Sequence, residues 1–190
     1  MTFLATPLGF TPEEFKTYVA ELKWAKGWKP HFATVHNTAE PNLKQWAHGN
    51  TGKDYELQRI KNLNHYYKGM GWHSGPANFI SPNFIWQACD PEQDGVSVSC
   101  WNRITYAIEM VGDYSEEDFS TGDGAKVRDN AVAALAILHK TLGLKPDGFK
   151  LGVSGIHFHK ECVKDHHLCP GKNVDKPDFV KRVIAEMAKI

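Results

Sequence analysis

The chain has 190 residues, the size of one ordinary domain, with Lys+Arg and Asp+Glu balanced at 22 each, so it can bury a full core but carries no basic footprint for nucleic acid or an anionic membrane. No run approaches the roughly 18 apolar residues of a membrane helix, and Met1-Thr2-Phe3-Leu4-Ala5-Thr6-Pro7 lacks the basic start and long apolar stretch of a secretory leader, which predicts synthesis in the cytoplasm. Ten His, six Trp and six Tyr suit metal ligation and flat polar ligands such as sugars. Four cysteines (Cys89, Cys100, Cys162, Cys169) could form two disulfides, but a domain of this length needs no such staples and a cytoplasm disfavours them, so metal-binding or free thiols are expected.

In chain order, Thr11-Pro12-Glu13-Glu14 reads as a capping box with Pro at the first helical position, followed at helical spacing by Phe15, Tyr18, Val19, Leu22 and Ala25. The run Phe32-Ala33-Thr34-Val35-His36 is β-prone and stops at Asn37-Thr38, which puts His36 at a strand end. Leu57, Ile60, Leu63 and Tyr67 mark a helix over residues 53 to 69, closed by Gly69 and Gly71. Two short β-like runs, Asn78 to Ile80 and Phe84 to Trp86, flank Ser81-Pro82-Asn83 and predict a hairpin. Thr105 to Val111 is nearly all apolar, as a central strand should be, except for Glu109.

An acidic loop from Ser115 to Gly124 leads into a helix marked by Val127, Ala131, Ala134, Leu135, Leu138 and Leu142, with Gly143 ending it. A strand through Leu151 to His159, a Cys/His-rich loop and a last helix from Pro177 complete the chain. The alternation predicts one α/β domain over residues 1–190, a central mixed β-sheet flanked by helices, with residues 1–28 as an N-terminal helical adornment.

Three candidate metal ligands are spread along the chain: His36, His159 and Cys169. Zinc takes imidazole and thiolate, and three protein ligands leave a fourth position open, the catalytic arrangement. No tight zinc signature such as H-E-x-x-H accompanies them, so the blander alternatives stand beside ligation: His36 as a polar residue closing a strand, Cys169 as a small buried hydrophobe. His157 and His159 share strand parity and are not separated by it.

The segments Val35-His36-Asn37-Thr38-Ala39-Glu40-Pro41, Gly71-Trp72-His73-Ser74-Gly75-Pro76, Trp101-Asn102, Ile108-Glu109-Met110-Val111-Gly112-Asp113-Tyr114, His159-Lys160-Glu161 and Cys169-Pro170-Gly171-Lys172-Asn173 recur in one family's order across nearly the whole chain. On these segments the chain resembles the N-acetylmuramoyl-L-alanine amidase type 2 family, which shares its fold with peptidoglycan recognition proteins, and is most similar there to single-domain phage endolysins. The resemblance implies a zinc-dependent hydrolase that cuts the amide bond between N-acetylmuramic acid and L-alanine of peptidoglycan, in a zinc cleft at the sheet edge. It implies Zn2+ on His36, His159 and Cys169, and Glu109 as general base, a role that burial of a carboxylate would favour.

Where this class often carries Lys two positions before the Cys ligand, the chain has His167, an alternative donor to the oxyanion. His-x-Glu favours His159 over His157, which is left as a packed, substrate-facing or ligand-supporting residue, with His166 in solvent. Phage relatives typically show imidazoles where this chain has Ala77 and Ser97, both placed by the resemblance in the cleft region. Trp72, Trp86 and Trp101 are candidates for stacking on sugars, and Tyr66-Tyr67 reads as helix packing.

The partner expected is peptidoglycan, with no nucleic acid, no membrane insertion and a monomeric state. The role expected is that of a phage or prophage endolysin, made in the cytoplasm and acting on the wall once the membrane opens. The competing readings are a wall-recycling amidase, a peptidoglycan-binding module without catalysis, and a thiol hydrolase built on Cys169 or Cys89.

Overall fold

Thr11 and Glu14 close the first helix at its start: the Thr11 hydroxyl accepts from Glu14 N–H at 3.3 Å while the Glu14 carboxylate accepts from Thr11 N–H at 2.7 Å. Such a cap is worth about 1 kcal/mol. In the computed structural model, which describes residues 2–24, 28–49, 52–147 and 150–190, the helix is α1 (Pro12–Glu21), burying Phe15 and Val19; the expected helical position Ala25 lies outside the described residues.

The remaining elements are β1 (Phe3–Phe10), β2 (Phe32–Asn37), α2 (Leu43–Ala47), α3 (Lys53–Gly69), β3 (Asn78–Ile80), β4 (Ile85–Cys89), β5 (Thr105–Met110), α4 (Gly122–Leu142), β6 (Ile156–Phe158) and α5 (Lys176–Met187). The strands form one six-stranded sheet in the order β1-β4-β3-β5-β2-β6. The pairs β3/β5, β5/β2 and β2/β6 are parallel, and β1/β4 and β4/β3 antiparallel. The sheet is therefore mixed, as the element order predicts, and β5 is interior with all six residues buried.

Both sheet faces are covered. On one, Ala33, Val35, Ile108 and Met110 pack against Phe15 of α1, Leu135 of α4 and Phe179 of α5. On the other, Phe79, Trp86 and Val111 pack against Trp46 of α2 and Ile60 of α3. Registers place Gly9, Trp86, Phe79, Glu109 and His36 opposite one another in a row across five strands. The row starts with a glycine for steric reasons, since a Cβ on Gly9 would stand 2.8 Å from the Trp86 ring. No helix among the described residues is long and apolar enough to cross a membrane.

Three features depart from the sequence reading. Residues Phe3–Phe10 form an edge strand with an irregular register between Phe3 and Leu8; Pro7 and the bulge suppress a strand signal, and proline is tolerated at a sheet edge. The expected strand over Leu151–His159 contracts to three residues, because Gly152 and Gly155 turn the chain with positive φ, and His159 opens a 3₁₀ turn (His159–Glu161). The thiols are not all free or metal-binding: Cys100 and Cys162, 62 residues apart in sequence, form a disulfide beside Phe32, Val98 and Trp101. The fold brings two loops together there, a proximity that composition and compartment do not encode. Cys89 and Cys169 remain free thiols.

Gly9→Ala should destabilise the chain by roughly 1–3 kcal/mol through overpacking against Trp86. Gly69→Ala, at a helical position with nothing within 4 Å of the new methyl, should be neutral or stabilising by up to about 1 kcal/mol. Urea denaturation of both variants checks the pair.

Candidate metal centre

His36 and His159 are neighbours because β2 and β6 run parallel in a register that pairs Val35 with Phe158. The next residue on each chain is the imidazole, and the two ring centres lie 4.6 Å apart. Cys169 arrives from the loop after the 3₁₀ turn, where its carbonyl accepts from Lys160 N–H at 2.9 Å and its sulfur accepts from Asn37 N–H at 3.2 Å. The loop lies against the backbone of Tyr114 at Gly171, whose φ is +108° and where a Cβ would stand 2.3 Å from the Tyr114 carbonyl carbon. Only glycine fits. One ligand atom from each of His36, His159 and Cys169 lies within 4.8 Å of the others.

Burial controls the protonation of all three. It drives His36 well below the ordinary histidine value, helped by His159 and His167, so the ring is neutral and its buried Nε2 has no hydrogen-bond partner. Burial likewise lowers His159, with Asp165 opposing. It pushes the Cys169 thiol up to about 12 against the help of the Asn37 N–H. An unpaired buried nitrogen is costly; a divalent cation would take its lone pair and would also stabilise Cys169 as the thiolate. The donor set fits a metal ion with three protein ligands.

Glu109 sits beside His36 in the β5–β2 register. Burial raises its carboxyl to about 7, although the Tyr67 hydroxyl, donating to Oε2 at 3.0 Å, works in the opposite direction. Tyr67 is held by stacking on Trp72 and Phe79, at 5.3 and 6.2 Å between centroids. His167 stacks on His159 at 4.3 Å with the planes 21° apart. Next to that pair, the His159 Nε2 lies 3.1 Å from Asp165 Oδ2.

His36, Glu109, His159, His167 and Cys169 all line one open cleft of about 720 Å³, at the carboxyl ends of β5, β2 and β6. Tyr66, Met70, Trp72 and Leu168 form its exposed apolar walls. Other expectations resolve differently. His157 is fully buried against Phe32 and Trp101 and accepts from Gly152 N–H at Nε2; the chain's turn after Phe158 is what separates it from His159.

Of the three tryptophans considered for sugar stacking, only Trp72 lines the cleft; Trp86 is core and Trp101 is buried against Phe32. Ser97 lines the cleft, but Ala77 is fully buried in the main core, which corrects its placement in the cleft region. Cys89 is fully buried, and burial pushes its thiol up to about 12. Tyr66 and Tyr67, read as helix packing, are both cleft residues. A hydroxyl opposite a buried carboxylate was the available clue for Tyr67, but only the fold pairs them.

A family model described as N-acetylmuramoyl-L-alanine amidase matches residues 26–172. No curated protein matches the chain in sequence. Among solved structures, the chain is similar to the endolysin N-acetylmuramoyl-L-alanine amidase LysCS of Clostridium intestinale (16% identity, 83% of this chain and 85% of that one, TM-score 0.61). It is also similar to a mutant endolysin from Bacillus subtilis (22%, 84% and 86%, TM-score 0.54) and to the peptidoglycan recognition protein PGRP-SA of Apis mellifera (18%, 78% and 80%, TM-score 0.57). At these identities the structural likeness speaks for the fold.

In metal-free protein, Glu109 ionises near 7 when folded and near 4.5 when unfolded. Between those values the folded state binds the extra proton, so stability is highest below the unfolded value and is lost as pH rises toward 7. Glu109→Gln cannot ionise; it should match wild type near pH 4.5 and exceed it near pH 8 by up to about 3 kcal/mol. Urea denaturation at both pH values measures this, and a pH-independent difference would contradict the raised carboxyl.

Proposed function

Because the chain belongs to the N-acetylmuramoyl-L-alanine amidase family, we propose that it hydrolyses the amide between N-acetylmuramic acid and L-alanine of peptidoglycan with zinc held by His36, His159 and Cys169. The observation that carries this reading is the convergence of those three donors with a raised, buried carboxyl in one cleft. Zinc at this site would supply Lewis acidity, polarising the scissile carbonyl and acidifying the attacking water.

Glu109 is the proton carrier. With a carboxyl poised near neutrality, it takes the proton from water as the lactyl carbonyl is attacked and can return it to the departing L-alanine amine. The Tyr67 hydroxyl occupies Oε2 and leaves Oε1 for that exchange. His167, stacked on His159 at the cleft face, donates an N–H to the developing oxyanion or to the leaving amine. Trp72 and Tyr66 offer aromatic faces to the saccharide. A thiol nucleophile is disfavoured on both candidates, since burial holds Cys169 and Cys89 protonated to about 12 and the thiolate is the reactive form. The biological role that suits such an activity is wall degradation by a phage or prophage endolysin, acting on the wall after the membrane opens, as a monomer.

Purified, metal-replete protein should hold one zinc per chain and release L-alanine amino termini from peptidoglycan. His159→Ala should lose both zinc and activity; Glu109→Ala should keep zinc and lose at least about 10²-fold in rate; His167→Ala should lose roughly 10²-fold. Zinc without cleavage would reassign the chain as a peptidoglycan-binding module. Activity that survives chelation but not thiol alkylation would overturn the metal mechanism.

A further inference from the structure

The loop that delivers Cys169 to the cleft also carries Asp165, six residues after His159 and unused by the chemistry above. Its Oδ2 lies 3.1 Å from His159 Nε2, with the two side chains mostly buried. Ser99 anchors both oxygens of the carboxylate: its N–H donates to Oδ2, the oxygen facing His159, at 3.2 Å, and its hydroxyl donates to Oδ1. The backbone is tied down as well, since Asp165 N–H donates to the Cys162 carbonyl at 3.1 Å. Cys162 is bonded to Cys100, the residue next to Ser99. The disulfide thus joins the two short segments, 99–100 and 162–165, that hold the aspartate.

We infer that Asp165 is a positioning residue for the metal ligand His159, and that the Cys100–Cys162 disulfide acts on the metal site through it. This rests on the metal reading of the cleft. The physical reason is tautomer control. A carboxylate oxygen is an acceptor, and Asp165 is held as one by Ser99, whose N–H and hydroxyl donate to its two oxygens. Facing Nε2, it requires the proton to sit there, which leaves Nδ1 as the lone-pair nitrogen for a metal. A carboxylate behind a ligating imidazole also fixes the ring plane and raises the basicity of the donor nitrogen. His159 needs this support more than His36 does, because it stands outside the sheet in a 3₁₀ turn while His36 is held within β2.

The test uses the full chain and two readouts. Nitrogen-15 spectra of the metal-free protein report the His159 tautomer, and competition against a chelator reports zinc affinity. Wild type should show the Nε2–H tautomer. Asp165→Ala should show mixed tautomers and bind zinc about 10- to 100-fold more weakly, and Asp165→Asn, whose amide oxygen can still accept, should recover part of the loss.

The variant Cys100→Ser/Cys162→Ser should weaken zinc binding in the wild-type background and add nothing in the Asp165→Ala background, the non-additivity of groups acting in series. Ser99→Ala, which removes one donor and leaves the disulfide, gives a milder version should the double cysteine variant fail to fold. Equal zinc affinity in wild type and Asp165→Ala, with an unchanged tautomer, would overturn the inference and leave the metal reading intact. Full additivity with the cysteine variant would overturn the role of the disulfide. Wild type that holds no zinc would overturn the metal reading itself, and this inference with it.

Discussion

Register between parallel strands is the constraint on which the cleft depends. Glu109 and His36 face the same side because β5 and β2 pair residue for residue, and His159 joins them because Phe158 pairs with Val35. A slip of one residue in β2 would turn His36 into the helix-packed core and bring Val35 to the cleft. The register is secured by the opposite face, where Ala33, Val35, Ile108 and Met110 are locked among α1, α4 and α5. The apolar core therefore does more than stabilise the fold: by fixing which residues face inward, it fixes which titratable groups face the cleft.

Desolvation is the second element of the design, and it acts on His36, Glu109 and Cys169 together. It keeps His36 neutral, holds Cys169 as a thiol and lifts Glu109 to about 7. For the two candidate ligands a bound cation would complete that state; on the proposed mechanism the same burial poises the glutamate for proton transfer. The Tyr67 hydrogen bond moderates the shift, so a phenol from α3 tunes a carboxyl on β5. The aromatic stack of Trp72, Tyr67 and Phe79 ties that tuning to the wall where a glycan would lie.

The fold is shared at 16–22% identity with endolysins of Clostridium intestinale and Bacillus subtilis, a level at which most surface and many core positions differ. Features outside the strands, the Cys100–Cys162 disulfide and the Ser99–Asp165–His159 chain among them, sit beside the cleft of this chain.

Read alone, the amino-acid sequence determined the elements whose signals are local. The Thr11–Glu14 capping box, the Gly143 stop after α4, the apolar run of β5 and the hairpin around Ser81-Pro82-Asn83 are each specified within a few residues, by hydrogen bonds and φ preferences that need no partner elsewhere. The candidate ligands His36, His159 and Cys169 and the buried Glu109 were legible too, through ordered motifs. Tertiary structure alone decided the edge strand β1, the Cys100–Cys162 disulfide across 62 residues, the Tyr67–Glu109 hydrogen bond across 42, the separation of His157 from His159 and the one tryptophan of three that faces the cleft. These are contacts between segments distant in sequence. Their free energies arise only once the chain's topology has brought the partners together, and neither periodicity nor capping carries that information.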